Sequence, residues 1–262
     1  YLSASSAGTQ DATVVFGGNS PPNAQMNNSE EYNGSGWTAT PTLNVGRRML
    51  GGAGISTAAL AFGGYTDPAG VQNVTESWNG SAWTASPGTQ PIANNLFASF
   101  GTQTAAVAAA GAQPAPTGNV TQVWNGSSWT TSPGTVNTAR FDLAGCGTTT
   151  AGLIFGGLTP PGGPPYTPSS ATEEWNGSAW TAGGSLITAR RGVGGAGIQT
   201  AALAFGGGPP AITSTEGYDG SSWSTRPSLA TGRYTAAGSG TQTSALASGG
   251  ATTAAVTNTE EF

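Results

Sequence analysis

The architecture can be predicted from one stretch, Thr75-Glu-Ser-Trp-Asn-Gly-Ser-Ala-Trp-Thr84, because versions of it recur along the chain. Its core, Trp-Asn-Gly-Ser-Ala-Trp, occupies residues 78–83 and again 175–180, and residues 124–129 differ only by Ser for Ala. The second tryptophan of this core recurs every 43 to 51 residues, at Trp37, Trp83, Trp129, Trp180 and Trp223. Periods of this length are typical of propeller blades or solenoid units, so we predict a repeat protein.

Each unit shows the alternation of residues expected for β-strands. In Thr57-Ala-Ala-Leu-Ala-Phe-Gly-Gly64, Leu60 and Phe62 fall on one strand face, and alanines fall on the other. Four strands per unit are predicted: a small-residue strand after an arginine (strand a), the Ala-Leu-Ala-Phe strand (strand b), a Glu-aromatic strand (strand c) and a Trp-Thr strand (strand d). No window of helical period with a capping signal is present, so the chain is predicted to be all-β.

A dipeptide that favours turns lies between strands c and d of each of the first five units. Asn-Gly between two aromatic strand segments predicts a two-residue type I′ hairpin turn, with positive φ at both central residues. The five predicted turns are Asn33-Gly34, Asn79-Gly80, Asn125-Gly126, Asn176-Gly177 and Asp219-Gly220.

The order of these features resembles the kelch repeat over essentially all 262 residues. The resemblance lies in a strand ending in Gly-Gly, a Glu-aromatic strand, a Trp a few residues later and an Arg that opens the next unit. It implies a six-bladed β-propeller of four-stranded antiparallel blades, in one domain spanning residues 1–262, with strand a lining the central channel and strand d on the rim. Strand b is predicted to end near Gly18, Gly64, Gly111, Gly157, Gly207 and Gly250.

Some units depart from this pattern. Unit three has Asn94 where others have Arg, and Ala109-Ala110-Gly111 where others have Phe-Gly-Gly. Unit six has Ser248 in place of Phe and stops inside strand c, so only five copies of strand d are found. Either the last blade of the ring is incomplete, or the chain is cut from a longer polypeptide. Because sheet edges are normally covered, we expect something outside these residues to fill the place of the missing strand.

The composition excludes several classes of partner. Charged residues make up only 7% of the chain, and the net charge is −5, with seven arginines as the only cations and no histidine. Nucleic acid is not expected as a partner, because phosphate binding needs a clustered basic surface. Membrane insertion is not expected either, because no apolar run is long enough to span a bilayer. The eight tryptophans at fixed register predict packing between blades rather than a disordered linker.

The sequence also argues against catalysis. Without histidine, neither nucleophile–histidine machinery nor a histidine metal site can form. Cys146 is the only cysteine and is predicted to be a small buried residue. The carboxylate pairs Glu30-Glu31, Glu173-Glu174 and Glu260-Glu261 share one repeat position, and neighbours in a strand point to opposite faces. We therefore predict no enzyme, no catalytic residue, no cofactor and no metal site.

Binding is expected on the face where the b-to-c and d-to-a loops meet, because loops that vary on a rigid frame usually carry recognition. The b-to-c loops include residues 65–74, 112–120 and 158–171, with Tyr65, Asp67 and Tyr166 as candidate contacts. The candidate cations Arg47, Arg140, Arg190 and Arg233 open strand a from the same face. They are predicted either to form a ring that attracts an anionic ligand or, as we favour, to pair with strand-c glutamates.

Highly self-similar repeats of this kind resemble the kelch-like arrays of phage structural proteins and environmental bacterial surface proteins. The leading hypothesis is a non-enzymatic structural or binding propeller that contacts protein or surface glycan. We expect it to be exposed outside a virion or cell, as a tail, fibre or decoration component, and to be part of a larger assembly or longer polypeptide. The alternatives are an intracellular kelch interaction module cut from a longer adaptor and a carboxylate-dependent glycan hydrolase.

Overall fold

A computed structural model describes residues 2–20, 24–112, 118–159 and 164–262, which form β-strands and loops. The six copies of strand a are Ser5–Gly8, Gly51–Ile55, Ala98–Thr102, Ala144–Thr148, Gly194–Ile198 and Ala237–Gly240. Strand b comprises Thr13–Phe16, Ala58–Phe62, Ala105–Ala109, Ala151–Phe155, Ala201–Phe205 and Ala245–Ser248. Strand c comprises Ser29–Tyr32, Thr75–Trp78, Thr121–Trp124, Thr172–Trp175, Thr215–Tyr218 and Thr259–Glu261. Strand d comprises Trp37–Thr40, Trp83–Ser86, Trp129–Thr131, Trp180–Ala182 and Trp223–Arg226.

These strands form six antiparallel blades in a closed ring. Blades 1 to 5 each have the order a-b-c-d, and the described residues of blade 6 form the three strands a-b-c. Each strand a contacts the strands a of both neighbouring blades, including blades 6 and 1. The structure therefore confirms the predicted all-β, six-bladed β-propeller.

Small residues in strand a allow six strands to converge on a narrow channel. A β-carbon on Gly238 would lie 2.4 Å from the carbonyl oxygen of Gly195 in the neighbouring blade. A β-carbon on Gly194 would lie 2.1 Å from the ring of Phe205 in strand b. Larger side chains are therefore excluded where the strands approach each other and where strand b places its phenylalanine.

Tryptophans of strand d join neighbouring blades. The indole N–H of Trp129 donates to the hydroxyl of Thr75 in the preceding blade at 2.9 Å, and its ring packs on Phe62 at 4.7 Å. The same indole-to-hydroxyl bond joins three further pairs: Trp180 to Thr121, Trp223 to Thr172 and Trp37 to Thr259. The last of these crosses from blade 1 to blade 6 and helps to close the ring.

The turns between strands c and d differ from the predicted type I′ geometry. Trp78 pairs directly with Trp83, so residues 79–82 form a four-residue loop. Gly80 has positive φ, but Asn79 does not. The Asn79 Oδ1 atom instead accepts hydrogen bonds from the Ser81 N–H, the Ser81 hydroxyl and the Ala82 N–H. Asparagine is therefore used for its side-chain oxygen, which stabilises a longer loop.

Candidate binding face

Because the blades are antiparallel, the b-to-c and d-to-a loops lie on one side of the ring, which we call the loop face. At its centre, one residue per blade precedes strand a with φ between +51° and +59°. These six residues are Ser3, Met49, Leu96, Asp142, Gly192 and Thr235. The backbone N–H of each, from Met49 to Thr235, donates to the carbonyl of its counterpart in the preceding blade at 2.7–3.2 Å. This chain of bonds holds the channel mouth as a rigid frame.

The residue just before each frame residue differs from blade to blade. We call these six residues the mouth positions: Leu2, Arg48, Asn95, Phe141, Arg191 and Tyr234. Each is joined by backbone hydrogen bonds to the start of a b-to-c loop, as Arg48 is to Tyr65 and Phe141 is to Leu158. The backbone is thus repeated while the side chains vary, which is the arrangement expected of a recognition surface on a fixed scaffold.

Two predicted contact residues lie together with a mouth position in blade 2. Tyr65 begins the short hairpin of Tyr65–Thr66 with Gly70–Val71. The guanidinium of Arg48 lies 5.1 Å above the Tyr65 ring, and its Nη2 atom lies 3.1 Å from the Asp67 carboxylate. The backbone N–H and carbonyl of Asp67 also bond the side-chain amide of Gln25 in blade 1. Tyr65, Asp67 and Arg48 therefore form one polar and aromatic cluster in blade 2, and Gln25 joins it to blade 1.

The third predicted contact residue lies in blade 4, away from this cluster. Tyr166 packs edge-on against Phe141 at 5.2 Å and is about half exposed. Next to Phe141, the Asp142 carboxylate lies 3.3 Å from the Arg191 guanidinium. Burial raises the pKa of Asp142 to about 6, and Arg191 acts in the opposite direction. This carboxyl group can therefore change its charge near neutral pH.

Three of the six mouth positions also line a cavity of about 350 Å³ over blades 6, 1 and 2. Its walls include Leu2, Arg48 and Tyr234, so an apolar side chain, a cation and an aromatic ring share one concavity. Arg48 and Arg191 stand three blades apart in a ring of six, so they lie on opposite sides of the mouth. The arrangement can bind a small polar group between an aromatic surface and charged side chains.

The four arginines that could have formed a cationic ring are buried, so they do not form an exposed anion site. Arg47, Arg140, Arg190 and Arg233 are at most 3% exposed. Their guanidinium groups pair with Glu76, Glu173, Glu216 and Glu260 respectively, at 2.8–2.9 Å in the first three pairs. Each also donates to at least two backbone carbonyls, as Arg140 does to Gly156 and Ala171. These contacts correspond to the structural alternative, in which each arginine pairs with a strand-c glutamate, and they leave these arginines no exposed face for a ligand.

Other candidate groups are also buried or paired. Glu174 accepts a hydrogen bond from the Tyr218 hydroxyl at 2.6 Å, while its neighbour Glu173 holds Arg140. Burial raises the pKa of the Cys146 thiol to about 12. Within the four described ranges, no group of three potential metal ligands lies together. The same ranges contain no helix long and apolar enough to cross a membrane.

The predicted loops are only partly described. Residues 158–171 contain the pairing of Leu158–Thr159 with Thr167–Pro168. Residues 160–163 of that loop, and residues 113–117 of the loop at 112–120, lie outside the described residues. In blade 1, Asn19–Ser20 pairs with Ala24–Gln25 in a similar short hairpin. Within the described residues, three of the six b-to-c loops thus contain a short hairpin.

Comparison with known proteins supports the fold. No family model and no curated protein matches the sequence. The solved structure of YjhT, a kelch-type propeller, is similar with a TM-score of 0.77, over 99% of this chain and 93% of the YjhT chain, at 15% sequence identity. At this identity the similarity supports the six-bladed β-propeller fold alone. Membership of the kelch family stays a prediction from the repeat pattern.

Sequence reasoning missed four of the mouth positions that carry large side chains: Arg48, Phe141, Arg191 and Tyr234. In both Arg-Arg pairs it selected the first arginine, which is buried, and not the second, which lies at the mouth. The sequence does contain a signal that distinguishes the two positions. The first position holds arginine in four units, as expected of a structural residue, whereas the second changes in nearly every unit.

Proposed function

We propose that this protein is a non-enzymatic binding propeller that recognises a surface glycan at the mouth of its loop face. The observation that carries the proposal is the variation of the six mouth positions on a backbone frame that repeats in every blade. A purely structural ring has no need for such variation, because blade packing is supplied by the repeated tryptophans. The varied side chains are therefore assigned to recognition.

The shape and chemistry of the mouth favour a glycan over a protein partner. Its cavity of about 350 Å³ matches a small ligand, whereas a stable protein interface buries roughly 800 Å² on each partner. Tyr234 and the Tyr65–Arg48 stack offer aromatic surface next to hydrogen-bonding groups. Aromatic rings with a polar edge suit a ligand that has both apolar and hydroxyl-bearing faces.

Two features argue for binding without catalysis. The acidic side chains nearest the mouth, Asp67 and Asp142, are each paired with an arginine. They belong to blades 2 and 4 and do not face each other across a shared site. Glycoside hydrolysis uses two carboxyl groups that flank one bond, and these residues are not arranged as such a pair.

We also propose that the propeller is displayed outside a virion or cell. Its polar surface is built mainly from Ser, Thr, Asn and Gly, without lysine, and its repeats are nearly identical. A decoration, tail or fibre component with this surface would present the loop face to a host or neighbouring cell. Electron microscopy of the native assembly with a loop-face label tests the location, and a label found only inside cells contradicts it.

The binding proposal is tested by screening the full chain on a glycan array and titrating the best ligand by calorimetry. Arg48→Ala and Tyr234→Ala are each expected to raise Kd by about tenfold or more, because each removes a group from the cavity wall. Ile198→Ala is the matched control, since Ile198 is exposed at the opposite end of strand a. The proposal fails if no glycan binds, or if the two mouth variants bind like the control.

A further inference from the structure

Blades that stand opposite each other in the ring share residues that the other blades lack. In strand b, the residue before the last is Val15 in blade 1 and Ile154 in blade 4, whereas the other four blades have alanine there. The last residue of strand b is phenylalanine except in blades 3 and 6, which have Ala109 and Ser248. Blades 1 and 4 are therefore one pair, and blades 3 and 6 are another.

Blades 2 and 5 form the third pair. The sequence Gly-Gly-Ala-Gly-Ile occurs only in their strands a, at residues 51–55 and 194–198. The two members of each pair are separated by half of the ring. Blades 4 to 6 thus repeat blades 1 to 3, and a two-fold rotation about the channel axis relates the two halves of the propeller.

The mouth positions follow the same two-fold pattern. Leu2 of blade 1 corresponds to Phe141 of blade 4, and both are apolar. Arg48 of blade 2 corresponds to Arg191 of blade 5. In each half, a backbone hydrogen bond of 2.9 Å joins the frame residue after the apolar side chain to the frame residue after the arginine. The combination of an apolar side chain with a neighbouring cation therefore occurs twice, on opposite sides of the mouth.

Both sides also have a tyrosine from a b-to-c loop. On the first side, Leu2 and Arg48 line the 350 Å³ cavity, and the Arg48 guanidinium lies above the Tyr65 ring. On the second side, Tyr166 packs edge-on against Phe141 and stays 46% exposed. The second side therefore has the same kinds of chemical group as the cavity assigned to glycan binding.

One carboxylate compensates the charge of the arginine on each side. Arg48 lies 3.1 Å from Asp67, and Arg191 lies 3.3 Å from Asp142. The Arg191 side chain is 36% exposed, and its hydrogen bond to Asp142 is its only one within the described ranges. Its remaining N–H groups can therefore donate to a ligand. Uncharged acceptors suit both sides better than an acidic group, which the two aspartates would repel.

We propose that Phe141, Tyr166 and Arg191 form a second subsite, and that the ligand is an unbranched, uncharged oligosaccharide with acetamido groups that spans both sides of the mouth. This inference rests on the proposed binding of a glycan at the mouth. An acetamido carbonyl accepts a hydrogen bond from a guanidinium group. The acetamido methyl group packs on the apolar mouth residue, and the apolar face of a sugar ring packs on the tyrosine.

Two subsites on one rigid ring have a measurable consequence. A chain that occupies both binds more tightly than a fragment that occupies one, because the second contact forms within the complex. The third pair of mouth positions differs, with Tyr234 beside the cavity and Asn95 on the other side. The first subsite is therefore expected to bind a fragment more tightly than the second.

The test is calorimetry on the full chain with chitobiose and chitohexaose, the β-linked oligomers of two and six N-acetylglucosamine residues. Two molecules of chitobiose are expected to bind per chain, but only one molecule of chitohexaose. The Kd of chitohexaose is expected to be at least about tenfold lower than that of chitobiose. These measurements use the unchanged protein, so they do not depend on a variant that folds.

Protein variants then locate the second subsite. Tyr166→Ala and Arg191→Gln are each expected to raise the Kd of chitohexaose by about tenfold and to reduce the number of bound chitobiose molecules to one. Ile55→Thr is the matched control, because Ile55 is exposed on the opposite face and blades 3 and 4 have threonine at its position.

The outcomes separate this inference from glycan binding itself. The second subsite is disproved if one chitobiose binds per chain, if chitohexaose binds no more tightly than chitobiose, or if Tyr166→Ala binds like Ile55→Thr. It is also disproved if neither sugar binds while another glycan binds at the Arg48 cavity, and the proposed function then stands. If no glycan of any kind binds, both proposals fail.

Discussion

Replacing Arg140 by Asn is expected to lower the free energy of unfolding by about 3 kcal/mol. The change leaves the Glu173 carboxylate buried without its cation, and breaking a buried ion pair typically costs about 3–5 kcal/mol. The lower end applies because Glu173 keeps hydrogen bonds from the Asn137 N–H and side chain and from the Thr138 N–H. The introduced asparagine can also keep one carbonyl contact, as Asn94 does with Ala110.

Blade 3 shows how the same site is built without charges. Asn94 stands at the position of Arg140, and Gln122 stands at the position of Glu173. The Gln122 side chain accepts from the Ile92 N–H and donates to the Ile92 carbonyl. The double variant Arg140→Asn with Glu173→Gln is therefore expected to cost only about 1–2 kcal/mol, less than Arg140→Asn alone, because no unpaired charge stays buried.

The assay is urea unfolding followed by tryptophan fluorescence and circular dichroism, for both single variants and the double variant. High salt should change the result little, since buried pairs are poorly screened. The reasoning is refuted if Arg140→Asn costs less than about 1 kcal/mol, or if the double variant costs the sum of the two single variants. Additivity would mean that the arginine and the glutamate act independently.

Three further predictions concern the repeat and the mouth. Trp180→Phe should lower the free energy of unfolding by about 1 kcal/mol more than Trp83→Phe does. The Trp180 indole N–H donates to a buried threonine, whereas the Trp83 indole N–H has no acceptor among the described residues. Asn176→Ala should cost about 1–2 kcal/mol by the same assay, and Asn176→Asp far less, because Asp219 fills this position in blade 5. Asp142 has a folded-state pKa raised to about 6, above its unfolded value of about 4, so stability should fall as pH rises between these values. Asp142→Asn should flatten that slope in melting curves.

Much of the fold could be predicted because the repeat contains redundant information. A strand pattern that is ambiguous once becomes specific when it recurs six times at one period. The type I′ turns were predicted wrongly because Asn-Gly is compatible with more than one loop, and the pairing of Trp78 with Trp83 requires four residues between them. Loop length depends on the register between the two strands, and the local sequence does not determine that register.

The candidate binding residues were harder to predict for a similar reason. Arg47 and Arg48 are neighbours in sequence, yet one is buried against Glu76 and the other lies beside Tyr65 at the mouth. The left-handed backbone of Met49 directs the chain at this point. Residue type alone cannot show which of the two arginines is buried and which lies at the mouth, because this depends on where the backbone places each side chain.

By itself, the sequence determined that this protein has blades and which residue types hold them together, because burial of aromatic residues at a fixed period needs neighbouring copies. The tertiary structure alone decided which side chains reach the mouth and which residues of the first and last blades meet. Those properties depend on closing the ring, which brings together residues more than 200 positions apart, such as Trp37 and Thr259. No local pattern encodes the outcome of that closure.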